Sequence, residues 1–149
     1  MSDLLLFYKV VPKKQFTNRQ PDAAEVPAFL GGSRPVYLKD YVLIPSGDSR
    51  FRRGQKLTAF FEVYNPGLQS PDRRPQLEIR CLFKGGDGSE VELPQRILDY
   101  LTDTGAHRTT YGVSIPLLGF PRGDYAVVFE VRDSIQAKSI SKSTTFSIY

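Results

Sequence analysis

The stretch of residues 120–133 constrains the fold more than any other part of the chain. A turn ends near Asp124, and apolar side chains then occupy every second position: Tyr125, Val127, Phe129 and Val131. A period of two places these side chains on one face of a β-strand, and it places Glu130 and Arg132 on the other face. The pattern predicts a central strand with one buried face, which needs neighbouring strands and a second layer above it.

The same alternation recurs along the chain between loops rich in proline and glycine. It is clearest at residues 57–64, 77–84, 113–117 and 139–149. Short strands at this spacing are typical of β-sandwiches. Gly123 followed by Tyr125 also resembles the tyrosine corner of immunoglobulin-like domains, in which the hydroxyl bonds to nearby backbone. We therefore predict an all-β, immunoglobulin-like antiparallel sandwich of seven to nine strands.

The length of 149 residues suits a single domain with one continuous core. We predict a sandwich body at residues 36–149, preceded by an N-terminal strand and a covering segment at residues 1–35. Residues 4–11 form an apolar run without clean alternation, which indicates either a strand covered on both faces or an edge strand. The polar connection of residues 12–35 is predicted to lie over the sandwich or to contact a partner.

Two segments show less regular patterns. Residues 36–45 are interrupted by Lys39 and Asp40, which predicts a bulge or two short strands. Residues 94–101 are predicted to contain a short helical segment, because three apolar side chains share a helix face there: Ile97, Leu98 and Leu101.

The second face of the strand at residues 57–64 is half aromatic. Phe60 and Tyr64 lie on it, and an exposed aromatic pair on an open sheet would be a sticky patch. We therefore expect a cover, either the connection at residues 12–35 or another chain. The sequence predicts a partner-binding surface from this face and from nearby aromatic and basic residues: Phe60, Tyr64, Tyr37, Tyr41, Arg52 and Arg53.

The formal net charge is +4, and the basic excess lies in short clusters of the first half of the chain. Such clusters bind nucleic acid when they form a stripe along the phosphates with interleaved aromatic side chains. The clusters at residues 13–14, 50–56 and 73–74 lack interleaved exposed aromatics. We interpret them as solvated loops, and nucleic acid is not predicted as a partner.

Patterns for catalysis and metal binding are weak. His107 is the only histidine, and the only cysteine, Cys81, is predicted to face the core, where a thiol is inert. Zinc sites need several His or Cys ligands, and the acidic residues show no calcium-loop pattern. We predict no catalytic residue, no metal and no cofactor. Paired carboxylates of the glycosidase kind stay open, because only their separation in space decides them.

The apolar run of residues 4–8 is too short to span a bilayer, and it follows Asp3 instead of a basic segment. We therefore predict no transmembrane segment and no signal peptide. The compartment stays open, since the chain is cytoplasmic if it is full length and extracytoplasmic if it is a fragment of an exported protein.

Three segments carry a resemblance to a known family. They are residues 2–6 (Ser-Asp-Leu-Leu-Leu), residues 44–65 with Phe-Arg-Arg-Gly-Gln-Lys-Leu at their centre, and residues 121–148 beginning Pro-Arg-Gly-Asp-Tyr. In this order they resemble the sandwich region of bacterial GWxTD-domain and von Willebrand factor A-related proteins. The Gly-Trp-x-Thr-Asp motif itself does not occur, since the chain has no tryptophan. The resemblance implies an accessory module of an exported protein, with no catalytic residue to transfer.

These observations favour a non-enzymatic module that binds another protein or domain, or serves as a structural subunit of a larger assembly. The alternative is a carbohydrate-binding module. Such a module needs a row of exposed tyrosines on one face, and the candidates are Tyr37, Tyr41, Tyr64 and Tyr111.

Overall fold

The computed structural model describes residues 1–2, 4–12, 14, 36–38, 40–68, 75–105 and 107–149. The regular elements that lie wholly within these ranges are eleven strands and a 3-10 helix. The strands are β1 (Leu5–Pro12), β2 (Val36–Leu38), β3 (Tyr41–Pro45), β4 (Arg50–Phe51), β5 (Lys56–Tyr64), β6 (Leu77–Gly85), β7 (Glu90–Glu92), β8 (Asp99–Thr104), β9 (Arg108–Pro116), β10 (Gly123–Asp133) and β11 (Lys138–Ile148).

The strands form two sheets. The first sheet has the order β2-β3-β1-β5-β9-β8, and the second sheet has the order β4-β11-β10-β6-β7. Neighbours pair antiparallel except β4 and β11, which pair parallel. The predicted all-β sandwich is confirmed, and the immunoglobulin-like assignment stays a prediction. The described strands outnumber the seven to nine predicted, because β2, β4 and β7 span only two or three residues each.

The main core lies between the two sheets, and β10 is the central strand of the second sheet as predicted. Val127, Phe129 and Val131 are buried on its inner face, which is the face turned toward the first sheet. Phe129 packs on Phe61 of β5 with ring centroids 5.0 Å apart. The period-two pattern therefore identified the core-facing side of the two strands that hold the layers together.

Strand β1 lies between β3 and β5, so it is an internal strand of the first sheet and not an edge strand. Leu6 and Phe7 are both buried although they point to opposite faces, which confirms the alternative of a strand covered on both sides. The sandwich body therefore begins before residue 36. The predicted cover at residues 12–35 lies outside the described residues apart from Pro12 and Lys14.

The outer face of the first sheet holds a second apolar cluster. Phe7, Leu38, Leu43 and Phe60 are buried together there, with Val10 and Leu101 packed against them. The sheet curls enough for its edge strands β2 and β8 to contact each other. Gly112 permits this approach, because a Cβ on that residue would lie 3.0 Å from Leu38 Cδ2.

The segment at residues 94–101 differs from the prediction. Its helical part is limited to the 3-10 turn of Gln95–Ile97, and the following residues form β8, which pairs with β9 along its whole length. Spacing alone does not distinguish these states, because a short apolar run fits either a helix or a buried strand. Backbone pairing with β9 stabilises residues 99–104 as a strand.

The backbone contact expected of Tyr125 is present. Its hydroxyl donates a hydrogen bond to the carbonyl oxygen of Pro121, with an O···O distance of 2.7 Å. The bond ties the turn before β10 to the start of that strand, while the ring stacks on Phe146 with centroids 5.6 Å apart.

Removing this hydroxyl tests its contribution. Tyr125→Phe keeps the ring, and we expect the free energy of unfolding to fall by about 0.5 to 1 kcal/mol because one hydrogen bond is lost. Urea denaturation followed by circular dichroism measures the change. Tyr41→Phe, at an exposed tyrosine, is the matched control and should leave stability unchanged. Equal losses in both variants would contradict the role of the Tyr125 hydroxyl.

Candidate interaction surface

The structure does not bring the six residues predicted to bind a partner together on one surface. Phe60 is only 9% exposed and packs in the outer cluster of the first sheet, in contact with Phe7 at a ring-centroid distance of 6.0 Å. Its cover is therefore formed by strands of its own sheet, among the described residues, and it is not available to a partner. The prediction of a docking face centred on Phe60 is corrected for this reason.

The exposed tyrosines do not form one platform. Tyr64 is 48% exposed at the end of β5, where its hydroxyl donates to Glu62 Oε2 at 2.9 Å. Tyr41 is exposed at the opposite end of the sheet, opposite Pro12. Tyr111 points inward and stacks on Phe61 with centroids 5.3 Å apart. The backbone of Tyr37 pairs with Val42, and its side chain lies outside the described residues.

Arg52 and Arg53 are exposed in the turn that follows β4. The Nε atom of Arg52 lies 3.4 Å from the hydroxyl oxygen of Tyr149, and Arg50 places its guanidinium 4.7 Å from the centroid of the same ring. Strand β5 separates this turn from Tyr64 by roughly 26 Å at about 3.3 Å per residue. The two arginines and Tyr64 therefore belong to different surfaces.

The groups considered for catalysis are not brought together. Cys81 is fully buried, as predicted, and burial raises the pKa of its thiol to about 12. His107 is exposed in the turn between β8 and β9, where its carbonyl oxygen accepts a hydrogen bond from Asn65 N at 2.6 Å. Within the described ranges, no cluster of three His, Cys, Asp or Glu side chains could hold a metal ion.

Sequence reasoning missed the open edge of β11. Strand β4 pairs with β11 only at Ser147 and Ile148, on the side that faces away from β10. Ser147 N donates to Ser49 O at 3.0 Å, and Tyr149 N donates to Phe51 O at 3.0 Å, so odd-numbered residues direct their backbone groups to that side. Successive residues of a strand direct these groups to opposite sides. The backbone N–H and C=O groups of Ser139, Ser141, Ser143 and Thr145 therefore face an edge along which no described strand pairs.

The other edges of the described sheets are formed by shorter strands, β2, β4, β7 and β8. On the far side of the second sheet, Gln95 Nε2 donates to Ile79 O at 2.6 Å, beyond the end of β7. Arg80 of β6 forms an ion pair with Glu92 of β7 at 2.9 Å and another with Glu130 of β10 at 2.8 Å. In the first sheet, the edge strands β2 and β8 contact each other. The edge of β11 at residues 138–146 is thus the longest open one among the described strands.

A cleft of about 520 Å³ lies between the sheets at the start of β11. Its apolar lining includes Met1 and Val63 on one side and Leu77, Val131 and Ile140 on the other. Ile140 is 41% exposed although it shares the inner face with the buried Val131, its partner in β10. The sandwich is therefore incompletely filled beside the open edge.

The open edge is basic. Lys138 and Lys142 lie on the same inner-facing row as Ile140, since all three are even-numbered residues of one strand. Strand β11 contains no acidic residue. Lysines and small polar residues are typical of strands at sheet edges. The sequence of residues 138–145 therefore contained the signal for an edge strand, although it did not show which strands would be neighbours.

Comparisons with known proteins give no family for the chain. No protein-family model matches it, and no curated protein matches it. The solved structure of a family 123 glycoside hydrolase from Clostridium perfringens is similar at a TM-score of 0.37 and 10% sequence identity, over 68% of this chain and 23% of that chain. The chain thus spans less than a quarter of that protein, and the likeness is too low to support an argument. The resemblance to GWxTD-domain proteins stays a prediction.

Among the described residues, no helix has both the length and the apolar character needed to span a membrane.

Proposed function

We propose that this protein is a non-enzymatic binding module that takes up an extended segment of another protein as an additional strand along β11. The observation that carries the proposal is the row of outward-facing backbone groups at residues 139–145, to which no described strand is hydrogen-bonded. Main-chain hydrogen bonds to such an edge are a common mode of peptide recognition. The proposal keeps the predicted class of function and moves the partner-binding surface from Phe60 to β11.

Two further features support a protein partner. The inter-sheet cleft beside Ile140 has a lining of both apolar and polar side chains, and it offers room for a side chain of an added strand, which gives such a site its specificity. In addition, Tyr41, Tyr64 and Tyr111 lie apart, so these three do not form the row of exposed tyrosines that a carbohydrate-binding module needs. The non-enzymatic part of the proposal is supported by the full burial of the Cys81 thiol, which keeps it from solvent, whereas His107 is exposed.

Amide hydrogen exchange measured by NMR tests this proposal directly. In the free protein, we expect amides of odd-numbered residues 139–143 to exchange fast, and amides of Ile140, Lys142 and Thr144 to be protected by their bonds to β10. Peptides selected from a random library on the intact chain should slow exchange at the odd-numbered positions, because an added strand would bond to those N–H groups.

Proline at an outward-facing position provides a blocking variant. Ser141→Pro removes one outward N–H group and leaves the β10 ladder donors in place, whereas Ser141→Ala keeps the N–H group and is the matched control. We expect the proline variant to lose peptide binding by at least about tenfold, with unchanged binding in the alanine variant. Ser139→Pro serves as a second variant if Ser141→Pro alters the circular dichroism spectrum. A library without binders, or binders that leave the odd-numbered amides unprotected, would contradict strand addition.

A further inference from the structure

The turns at one end of the sandwich form a surface that is separate from the open edge of β11 and does not depend on the proposed function. This surface, the basic tip, consists of five exposed side chains: Arg50, Arg52, Arg53, Leu118 and Tyr149. We propose that the basic tip binds the surface of an anionic lipid bilayer, with Leu118 inserted among the headgroups and the arginines beside the lipid charges.

Two tight turns, one after β4 and one after β9, lie side by side at this end. Leu117 N donates to Gln55 O at 2.9 Å, which extends the antiparallel register of β5 and β9 by one pair. The next pair in this register is Gly54 with Leu118, so Leu118 lies beside a residue without a side chain and next to Arg53 in space. The fold therefore places an apolar side chain directly among basic ones.

Leu118 is the most exposed large apolar side chain among the described residues, at 77%. A single exposed leucine is common at protein surfaces. Its position at the end of a turn, with arginines beside it, is what allows an apolar group to enter a bilayer while the charged groups stay at the headgroups. The two side-chain types therefore suit the two layers of a membrane surface.

Tyr149 provides the aromatic side chain that the basic cluster at residues 50–56 lacks in sequence. The guanidinium of Arg50 lies 4.7 Å from the centroid of its ring, and Arg52 Nε lies 3.4 Å from its hydroxyl oxygen. The ring is 46% exposed. Tyrosines are enriched at membrane–water interfaces, because the ring is apolar and the hydroxyl is polar. Pairing of β4 with the end of β11 therefore changes the interpretation of this cluster as a solvated loop.

The basic tip keeps an excess of positive charge. Its three arginines take part in none of the ion pairs among the described residues. The carboxylate nearest to them in sequence is Asp48, which accepts the backbone N–H of Arg50 at 3.1 Å. Asp99 is paired with Lys56 at 3.4 Å, so this pair adds no net charge. Two further carboxylates line a groove at this end together with an arginine of their own: Asp87, Asp124 and Arg122.

The combination of charge and exposed apolar surface favours a lipid surface over nucleic acid. Binding of single-stranded nucleic acid uses several aromatic side chains along a basic groove. The basic tip has one tyrosine, and Leu118 would gain little beside phosphodiesters. An anionic bilayer offers both negative charge and an apolar layer beneath it.

A tryptophan at the tip reports insertion directly, because the chain has no other tryptophan. With vesicles of phosphatidylcholine and phosphatidylserine, the fluorescence of Leu118→Trp should shift to shorter wavelengths. It should stay unchanged with phosphatidylcholine alone, and high salt should reverse the shift because it screens the charges. Tyr64→Trp, at the other end of β5 and roughly 26 Å away, is the matched control and should show no shift.

Charge removal tests the arginines by co-sedimentation of the full chain with the same vesicles. Arg52→Gln/Arg53→Gln should weaken binding to the anionic vesicles by at least about tenfold, because both charges lie at the proposed contact. Arg132→Gln/Lys138→Gln removes the same charge next to the turn between β10 and β11, at the other end of these strands. This control should change binding by less than about twofold. Arg53→Gln alone should weaken binding by about threefold or more, and it replaces the double variant if that variant alters the circular dichroism spectrum.

Four outcomes would overturn the proposal: equal losses in the two double variants, equal binding to neutral and anionic vesicles, vesicle binding without a shift in Leu118→Trp, and no vesicle binding at all. A single-stranded oligonucleotide that displaces the protein from vesicles at comparable concentration would show a general site for polyanions, and it would overturn the assignment to lipid. None of these results bears on hydrogen exchange along β11, so the proposed function is tested separately.

Discussion

Replacing Phe129 with alanine should lower the free energy of unfolding by about 3 to 5 kcal/mol, which is the usual cost of a large cavity in a core. Phe129 is fully buried in the central strand of the second sheet, and its ring lies 5.0 Å from that of Phe61 across the core. The variant removes the contact that joins the middle strands of the two layers. Guanidinium denaturation monitored by circular dichroism measures the loss.

Two further variants make this test independent of whether the alanine variant folds. Phe129→Leu retains most of the apolar volume and should cost about 1.5 kcal/mol, within the range for altered core shapes. Leu118→Ala changes a side chain that is 77% exposed, and it should alter stability by less than about 0.5 kcal/mol. Similar losses for Phe129→Ala and Leu118→Ala would contradict the position of Phe129 in the core.

The core of the second sheet was predictable because its strands are buried on one face. Along β6 and β10 the inward side chains are apolar and the outward ones are mostly charged, so the period of two appears directly in the sequence. Cys81 was placed inward by this pattern alone, and the structure confirms it. For a strand that is buried on one face only, the local sequence shows which side chains point into the core.

The first sheet was less predictable because β5 is buried on both faces. In a flat sheet, Phe60 would be exposed and could bind a partner. The sheet is curled instead, because strands distant in sequence contact each other. Leu38 reaches Gly112 across the sheet, for example, and no local pattern indicates that pairing. The predicted cover over Phe60 is present, and its described part includes Phe7, Leu38 and Leu43. The contribution predicted for residues 12–35 lies outside the described residues apart from Pro12 and Lys14.

The candidate site was missed for a related reason. An open edge is defined by a missing neighbour, and neighbours are set by strand order, which the alternation of β11 does not determine. The alternation at residues 139–149 places Ile140, Lys142 and Thr144 on one face of the last strand with two core residues, Phe146 and Ile148. The structure confirms this phase, but only the last two side chains are buried. Along this face the side chains change from buried at Ile148 and Phe146 to exposed at Ile140, so the packing over β11 ends between these residues.

A second large effect is expected at Asp133, at the end of β10. This side chain is 8% exposed and accepts three backbone hydrogen bonds: from Gly67 at 2.6 Å, from Ile135 at 3.0 Å and from Gln136 at 3.1 Å. Burial alone would raise the pKa of the Asp133 carboxyl, but these bonds and the charge of Lys138 together lower it below its ordinary value. The carboxylate therefore joins the chain after β5 to the turn between β10 and β11.

Asp133→Ala should lower the free energy of unfolding by about 2 to 4 kcal/mol, because the backbone N–H groups of Gly67, Ile135 and Gln136 lose their acceptor. Asp133→Asn keeps one acceptor oxygen and should lower the free energy of unfolding by less.

Because the folded pKa of Asp133 lies below the unfolded value of about 3.9, the carboxylate stabilises the fold fully above that pH, and its contribution is lost as the pH falls toward the folded pKa. Urea denaturation at pH 7 and at pH 3 measures this. The stability difference between the natural chain and Asp133→Asn should shrink at the lower pH, and a difference that stays constant or grows on acidification would contradict the lowered pKa.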